Sequence, residues 1–426
     1  MIITLFVVFF LLILMSVPIA LSLAGACIVP LLFFSDLPMT VVAQKMFSGV
    51  NTFTLMAIPF FTIAGALLEK GGVSKRLVRL ANALIGWIPG GLAMVVFVAS
   101  AFFGAISGSA VATVSAIGSI MLPTMREEGY SLKFSLGTIA TAGYLGIIVP
   151  PSIPMVLFGQ ATGTSIGDLF LGGFIPGLLL ALVMGIYGVY FGIKHPEIKR
   201  HKFSLKNLWE AFKGSILALL MPVIVLGGIY GSIFTPTEAA AVSIVYGLIV
   251  GCFVYKEIKL STIREIIRSS VITTAMILFV CATATALAYV FALNDIPQML
   301  ANGILSLCKT RWQFWILVTV FLLFCGMIMD TPPNILILAP LLTPVAESYG
   351  IKPVAFGIIM IINLGIGMVT PPVGMNAYVA AGLCRTNVKN VITKHMWIYL
   401  GFALACMILF MAFPDIITFL PNLKGS

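Results

Sequence analysis

Apolar runs of 18 or more residues recur along the whole 426-residue chain, separated by short polar breaks. The basic breaks fall at 69–79, 126–133, 194–213, 256–268 and 385–395. This pattern predicts an all-α polytopic membrane protein. The first 34 residues would make about 50 Å of helix, too long for one crossing of an ~30 Å hydrocarbon core. They are expected to form two short spans hinged near Ser16–Pro18, with a comparable hinge at Thr235–Glu238.

Sliding the chain against itself exposes a repeat. Pro123 matches Pro344, Gly129 matches Gly350, Gly146 matches Gly367, and Pro150-Pro151 match Pro371-Pro372, each at an offset of 221. The first copy, 1–193, is expected to hold scaffold spans over 1–69, a surface arm helix at 74–86, a hairpin at 88–125, a broken span at 134–165 and a last span at 168–193. A basic cytoplasmic connector, 194–214, leads to the second copy, 215–412. That copy is expected to hold scaffold spans over 215–292, an arm helix at 295–309, a hairpin at 312–348, a broken span at 354–385 and a span at 390–412. A tail of 413–426 follows.

The hairpins are expected to be re-entrant. If 88–125 crossed the membrane once, the basic breaks on its two sides would lie on opposite faces; if it dips in and returns, both stay in the cytoplasm. Its middle, GAISGSAVATVS (Gly104 to Ser115), is a run of small and hydroxyl residues suited to a tip buried in protein. The equivalent place in the second copy reads GMIMDTPPN, Gly326 to Asn334. Each copy then has five crossings, an odd number, so the second copy is expected to be inverted.

Composition reinforces this class. Hydrophobic residues make up 60% and charged residues 9%, more apolar than a soluble domain of this size needs. The net charge of +10 is concentrated, since the five basic breaks hold 19 of the 24 Lys and Arg, which reads as loop orientation and not as nucleic-acid binding. The seven cysteines are scattered without a CxxC pair, as small core residues would be. The apolar N-terminus has no Lys or Arg before it and is read as a retained span.

The chemistry centres on GIIVPP (Gly146 to Pro151) and GMVTPP (Gly367 to Pro372). Proline removes a backbone donor, so each pair frees carbonyls in the preceding turn, where a half-helix C-terminal end carries partial negative charge. Inverted repeats with interrupted segments at matching places are the sequence sign of a secondary transporter with a midplane site. Gly146, Val149 and Pro151 with Ser107 and Ser109 are the candidates for one monovalent cation. Gly367, Thr370 and Val373 with Gly326 and Asp330 are the candidates for its symmetry mate. Asp330, ionisable at a membrane hairpin tip, is a functional candidate by default and equally a cap for the helix beginning TPPN. Ser107, Ser109, Ser152, Asp330, Asn334 and Asn376 are expected to supply polar contacts to a substrate, with interhelical bonding as the competing role. Asp168 reads as a plain N-cap.

An enzyme is not expected. The three histidines, His195, His201 and His395, lie in the basic loop or at a helix start, and neither HExxH nor GxSxG is present. No catalytic residue or cofactor is assigned. A channel remains the alternative outside transporters, although two opposed hairpins favour alternating access over an open conduit.

The stretch from Phe47 to Val78, followed by GAISGSAVATVSAIGSIMLP, GIIVPPSIP, LLMPVIVLGGIYGSIFTPTEAAAV and GMVTPPVGM, resembles the large membrane subunit of tripartite ATP-independent periplasmic (TRAP) transporters over nearly the whole chain. The resemblance implies sodium as the coupling ion and import of an organic anion, a C4-dicarboxylate or a sugar acid such as sialic acid. It also implies an elevator design, with hairpins and broken helices moving against a scaffold. As partners it implies a small four-helix membrane subunit, expected as a separate chain, and a periplasmic substrate-binding protein. The location would be the bacterial inner membrane, with both termini periplasmic. A stand-alone carboxylate symporter of the related two-hairpin type is the runner-up.

Overall fold

The computed structural model describes residues 1–35, 37–199 and 202–424; His201 and Arg200 of the connector, with Asp36 and the last two residues, lie outside the described residues. No strand occurs among the described residues. The helices of the first half are α1 (Ile2–Leu14), α2 (Ile19–Phe34), α3 (Thr40–Val50), α4 (Ala57–Lys70), α5 (Val73–Ile85), α6 (Gly91–Ser107), α7 (Ala110–Glu127), α8 (Leu132–Ala142), α9 (Leu145–Ile148), α10 (Ile153–Thr162) and α11 (Ile166–Lys194). The second half holds α12 (Leu205–Tyr230), α13 (Pro236–Leu248), α14 (Leu260–Leu293), α15 (Ile296–Leu307), α16 (Arg311–Ile328), α17 (Thr331–Ser348), α18 (Pro353–Gly367), α19 (Met375–Gly382), α20 (Lys394–Ala412) and α21 (Asp415–Lys424). Seven helical segments among the described residues are long and apolar enough to cross a membrane, and α8–α9 with α10 form an eighth, bent by 43°.

Local chemistry sets many of these ends. Ser109, Ser131, Ser165 and Ser204 each accept a backbone N–H of the first turn of the helix they precede. Thr235 with Glu238, and Thr310 with Gln313, form capping boxes at α13 and α16. Asp168 is not the N-cap expected of it: Ser165 caps α11 and accepts the Asp168 N–H at 3.3 Å. Gly129 and Gly350 both take positive φ, 97° and 72°, after α7 and α17, a conformation that only glycine adopts freely.

Four stretches differ from the expected boundaries. The third segment of the first half is interrupted: α3 ends at Val50, Thr52 is extended, a 3-10 turn covers Phe53–Met56, and α4 then begins with Pro59 in its first turn. Its counterpart, α14, contains no proline and runs unbroken for 34 residues. It starts inside the basic break because Ile263 and Ile266 put an apolar edge toward Leu67 while Arg264 and Glu265 face outward. The connector likewise turns helical at Leu205, and the tail forms α21, which packs on α11 and α18.

Burial singles out the two proline-broken segments. Every residue from 134 to 159, and again from 355 to 370, is buried. A helix covered on all sides is a core element, so these segments lie in the middle of the molecule. Around them α6 packs on α11 and α7, α16 packs on α18, and the halves interlock through α10 on α17, α19 on α7 and α8, and α20 on α8. Outside this group α14 packs on α2, α3 and α4, and α13 on α4 and α12. The arm helix α5 bridges the groups by touching both α6 and α12.

Candidate functional site

The first hairpin tip lies against the first break with almost no side chain between them. A Cβ on Gly104 would fall 2.8 Å from Gly146 Cα, and one on Gly108 would fall 3.1 Å from Pro151 O. Gly108 O also accepts the Ile153 N–H at 3.4 Å. Glycine is required here so that backbone can meet backbone. The hydroxyls at this tip form a relay: Thr113 Oγ1 donates to Ser109 O at 2.8 Å and lies 3.3 Å from Ser107 Oγ. Ser109 Oγ accepts Ala112 N–H as the cap of α7. Ser107, Ser109, Gly146 and Pro151 are therefore brought together.

The second tip and break repeat the arrangement. A Cβ on Gly367 would fall 2.7 Å from Gly326 Cα, and Val373 N–H donates to Met327 O at 3.3 Å. Asp330 caps α17, its Oδ1 accepting Thr331 N–H at 2.7 Å. Asn334, fully buried, spreads its Nδ2 over Asp330 O, Met329 O and Cys325 O at 3.0, 3.1 and 3.3 Å. Gly326, Gly367, Asp330 and Asn334 thus share one neighbourhood. The Pro150-Pro151 and Pro371-Pro372 peptide bonds are both cis.

The prolines' effect on the carbonyls can be followed one by one, because the donor of each i−4 carbonyl is lost. Pro151 leaves Ile147 O, which accepts Ser152 Oγ–H at 2.6 Å. Pro372 leaves Met368 O, which accepts Asn376 N–H at 3.0 Å. Pro371 leaves Gly367 O, which turns to Thr370 N–H at 2.9 Å. Pro150 leaves Gly146 O, and a Cβ on the same residue would meet Thr113 Oγ1 and Ser109 O. The hydroxyl protons of Ser152 and Thr370 are thereby committed, the latter to Ile366 O at 2.8 Å, and their oxygen lone pairs remain as acceptors. Val149 and Val373 offer only backbone carbonyls: the Val149 side chain packs against Gly177 of α11, and Val373 is 40% exposed.

Asn376 links the two breaks. It begins α19 in the second half, yet its Nδ2 reaches Ala140 O on α8 at 3.5 Å and lies beside Gly143, three residues before Gly146. Its Oδ1 is buried without a partner, as is Asn334 Oδ1. Gly365 on α18 meanwhile abuts Tyr144. The donors gathered here are hydroxyl, amide and backbone oxygens plus one carboxylate, the hard ligands that suit an alkali or alkaline-earth cation.

Sequence reasoning missed three residues. Thr113 follows Ser109 by four positions as Asn334 follows Asp330, a spacing that the 221-residue offset exposes. Gly104 carries the closest approach to Gly146 and was hidden among several small residues. Asn363, 1% exposed, has both polar ends without a partner, and as a lone amide in IIMIINLGIG it was visible as an intramembrane polar residue.

Comparison with known proteins agrees with this architecture. Residues 6–416 match the family described as tripartite ATP-independent periplasmic transporter, DctM component. The chain is 39% identical over 428 residues to the C4-dicarboxylate TRAP transporter large permease protein DctM of Rhodobacter capsulatus, covering 97% of each. It is 40% identical over 390 residues to the isethionate TRAP transporter permease protein DctMQ of Oleidesulfovibrio alaskensis, covering 91% of this chain and 61% of that one. Among solved structures, the Alcanivorax borkumensis YdaH transporter superposes with a TM-score of 0.62 at 15% identity over 88% of each chain, a likeness of fold.

Proposed function

Since the chain belongs to the DctM component family of tripartite ATP-independent periplasmic transporters, we propose that it imports an organic anion by coupling its movement to sodium. It is a membrane permease subunit and not an enzyme. The observation that carries the coupling is the pairing of each hairpin tip with a proline break, Gly104 on Gly146 and Gly326 on Gly367, each beside a set of oxygen donors. One sodium ion would take Gly146 and Pro151 carbonyls with Ser107 and Ser109; the other would take the Gly367 neighbourhood with Asp330. To meet the anion's carboxylate, Ser152, Asn334 and Asn376 would have to release the O–H and N–H donors now held by Ile147 O, Asp330 O and Ala140 O. A C4-dicarboxylate or a sugar acid such as sialic acid is the substrate class.

The packing supports an elevator division, in which α6–α11 and α16–α20 move against α1–α4 and α12–α14, with the two halves inverted in the membrane. The partners are a small four-helix membrane subunit and a periplasmic substrate-binding protein, and the chain lies in the bacterial inner membrane with both termini periplasmic. The test is uptake into vesicles holding the three proteins. Radiolabelled succinate or sialic acid should accumulate only with an inward sodium gradient and the binding protein. Undiminished uptake without sodium sinks the coupling, uptake without the binding protein favours a stand-alone symporter, and non-saturating conductance favours a channel.

A further inference from the structure

We propose that the cleft between α5 and the start of α12 binds the phosphate headgroup of an anionic phospholipid. Arg79, Asn82 and Trp87 on one side, and Lys202, Phe203 and Asn207 on the other, surround a cavity of about 300 Å³. None of these residues belongs to the tips or the breaks.

Its depth follows from the helices that end there. α12 is a membrane-spanning helix of 26 residues, about 39 Å long against an ~30 Å hydrocarbon core. Its first turns therefore stand in the headgroup layer. α5 begins three residues after Lys70, the end of another span, and lies at the same level.

The charge fits a phosphate. Arg79 is 69% exposed, and its ion-pair partner among the described residues is Glu210 at 3.9 Å, itself half exposed, so the guanidinium is weakly held. Lys202 faces it across the cleft. The start of α12 adds partial positive charge, with Ser204 Oγ taking the Asn207 N–H.

The rim fits acyl chains and not a free ion. Trp87 and Phe203 meet edge to face at 5.8 Å, and both are about half exposed. Trp87 is oriented by Nε1–H donating to Leu84 O at 2.9 Å. Leu205, 71% exposed, and Trp209, 57% exposed, continue the apolar surface. Aromatic residues at headgroup depth beside basic ones are how membrane proteins meet lipid at the interface.

The experiment titrates phosphatidylglycerol or phosphatidylcholine onto the delipidated chain in detergent and counts bound lipid by native mass spectrometry. Wild type should hold phosphatidylglycerol in preference to phosphatidylcholine. Each of Arg79→Gln and Lys202→Gln should weaken it about fivefold, and Trp87→Ala should weaken it at unchanged charge. Lys133→Gln with Lys389→Gln, an equal loss of charge elsewhere, should leave it unaltered. Equal phosphatidylglycerol binding by wild type and the Arg79→Gln/Lys202→Gln protein overturns the site. Displacement by millimolar inorganic phosphate overturns lipid as its occupant.

Discussion

Thr113 and Asn334, 221 positions apart, make the same bond at the two hairpin tips. Thr113 Oγ1 donates to Ser109 O at 2.8 Å, and Asn334 Nδ2 donates to Asp330 O at 3.0 Å. Ser109 and Asp330 are in turn the caps of the helices that follow. Each tip is thus closed by a cap at one position and a tie back to its carbonyl four residues later.

Asn334 does more of this work than Thr113, because its amide also holds Met329 O and Cys325 O. Asn334→Ala strips three part-buried carbonyls of a donor and should destabilise the protein by about 1–3 kcal/mol. Thr113→Val keeps the shape and loses the bond to Ser109 O with the longer one to Ser107 Oγ, for about 1 kcal/mol. Thermal unfolding in detergent should rank the two in that order.

Gly146→Ala would place a methyl in contact with Thr113 Oγ1 and 2.6 Å from Ser109 O, which is backbone and cannot turn away. Overpacking of this kind costs about 1–3 kcal/mol. The tip must separate from the break to make room, so uptake should fall at least tenfold. Gly401→Ala, with open space around it, should leave both unfolding temperature and uptake unchanged.

Asp330 separates two roles by substitution. Asn caps helices as well as Asp does, so Asp330→Asn should retain the stability of α17, whereas Asp330→Ala should lose about 1 kcal/mol. If the carboxylate also meets sodium, Asp330→Asn raises the sodium concentration for half-maximal uptake at least several-fold. An unchanged sodium dependence would leave Asp330 as a cap alone.

Arg76 pins the arm helix to the other half. Its guanidinium stacks 3.6 Å over Tyr255, pairs with Glu257 at 2.6 Å and donates to Gly72 O at 2.9 Å. Arg76→Ala should cost about 1–2 kcal/mol, and Arg76→Lys should recover little of it, since an ammonium neither stacks nor forks. A double-mutant cycle with Tyr255→Leu should show coupling above about 0.5 kcal/mol.

The helical class, the hinges and the two breaks were legible because proline, glycine and hydrophobic length act locally. α6 ends and α7 begins within the small-residue run, and α16 ends and α17 begins at the DTPP signal. The gap between α3 and α4 was less so: Pro59 announces it only once the unbroken α14 is set beside it. The Asn376 contact with Ala140 was not legible at all, since it joins positions 236 residues apart and depends on how the halves pack. Ser152 was read as a substrate contact or an interhelical bond; that its proton is committed to Ile147 O is a matter of geometry that composition does not carry.

Where Gly104 meets Gly146 and Gly326 meets Gly367, the seam has no side chains to vary. Such a contact offers evolution no gradual path: any replacement is an abrupt loss, and none is a small adjustment. Change of diet in a lineage of these proteins must then be written at the margins, in the hydroxyls and amides around the seam or in whatever delivers the cargo. The seam itself admits no such variation.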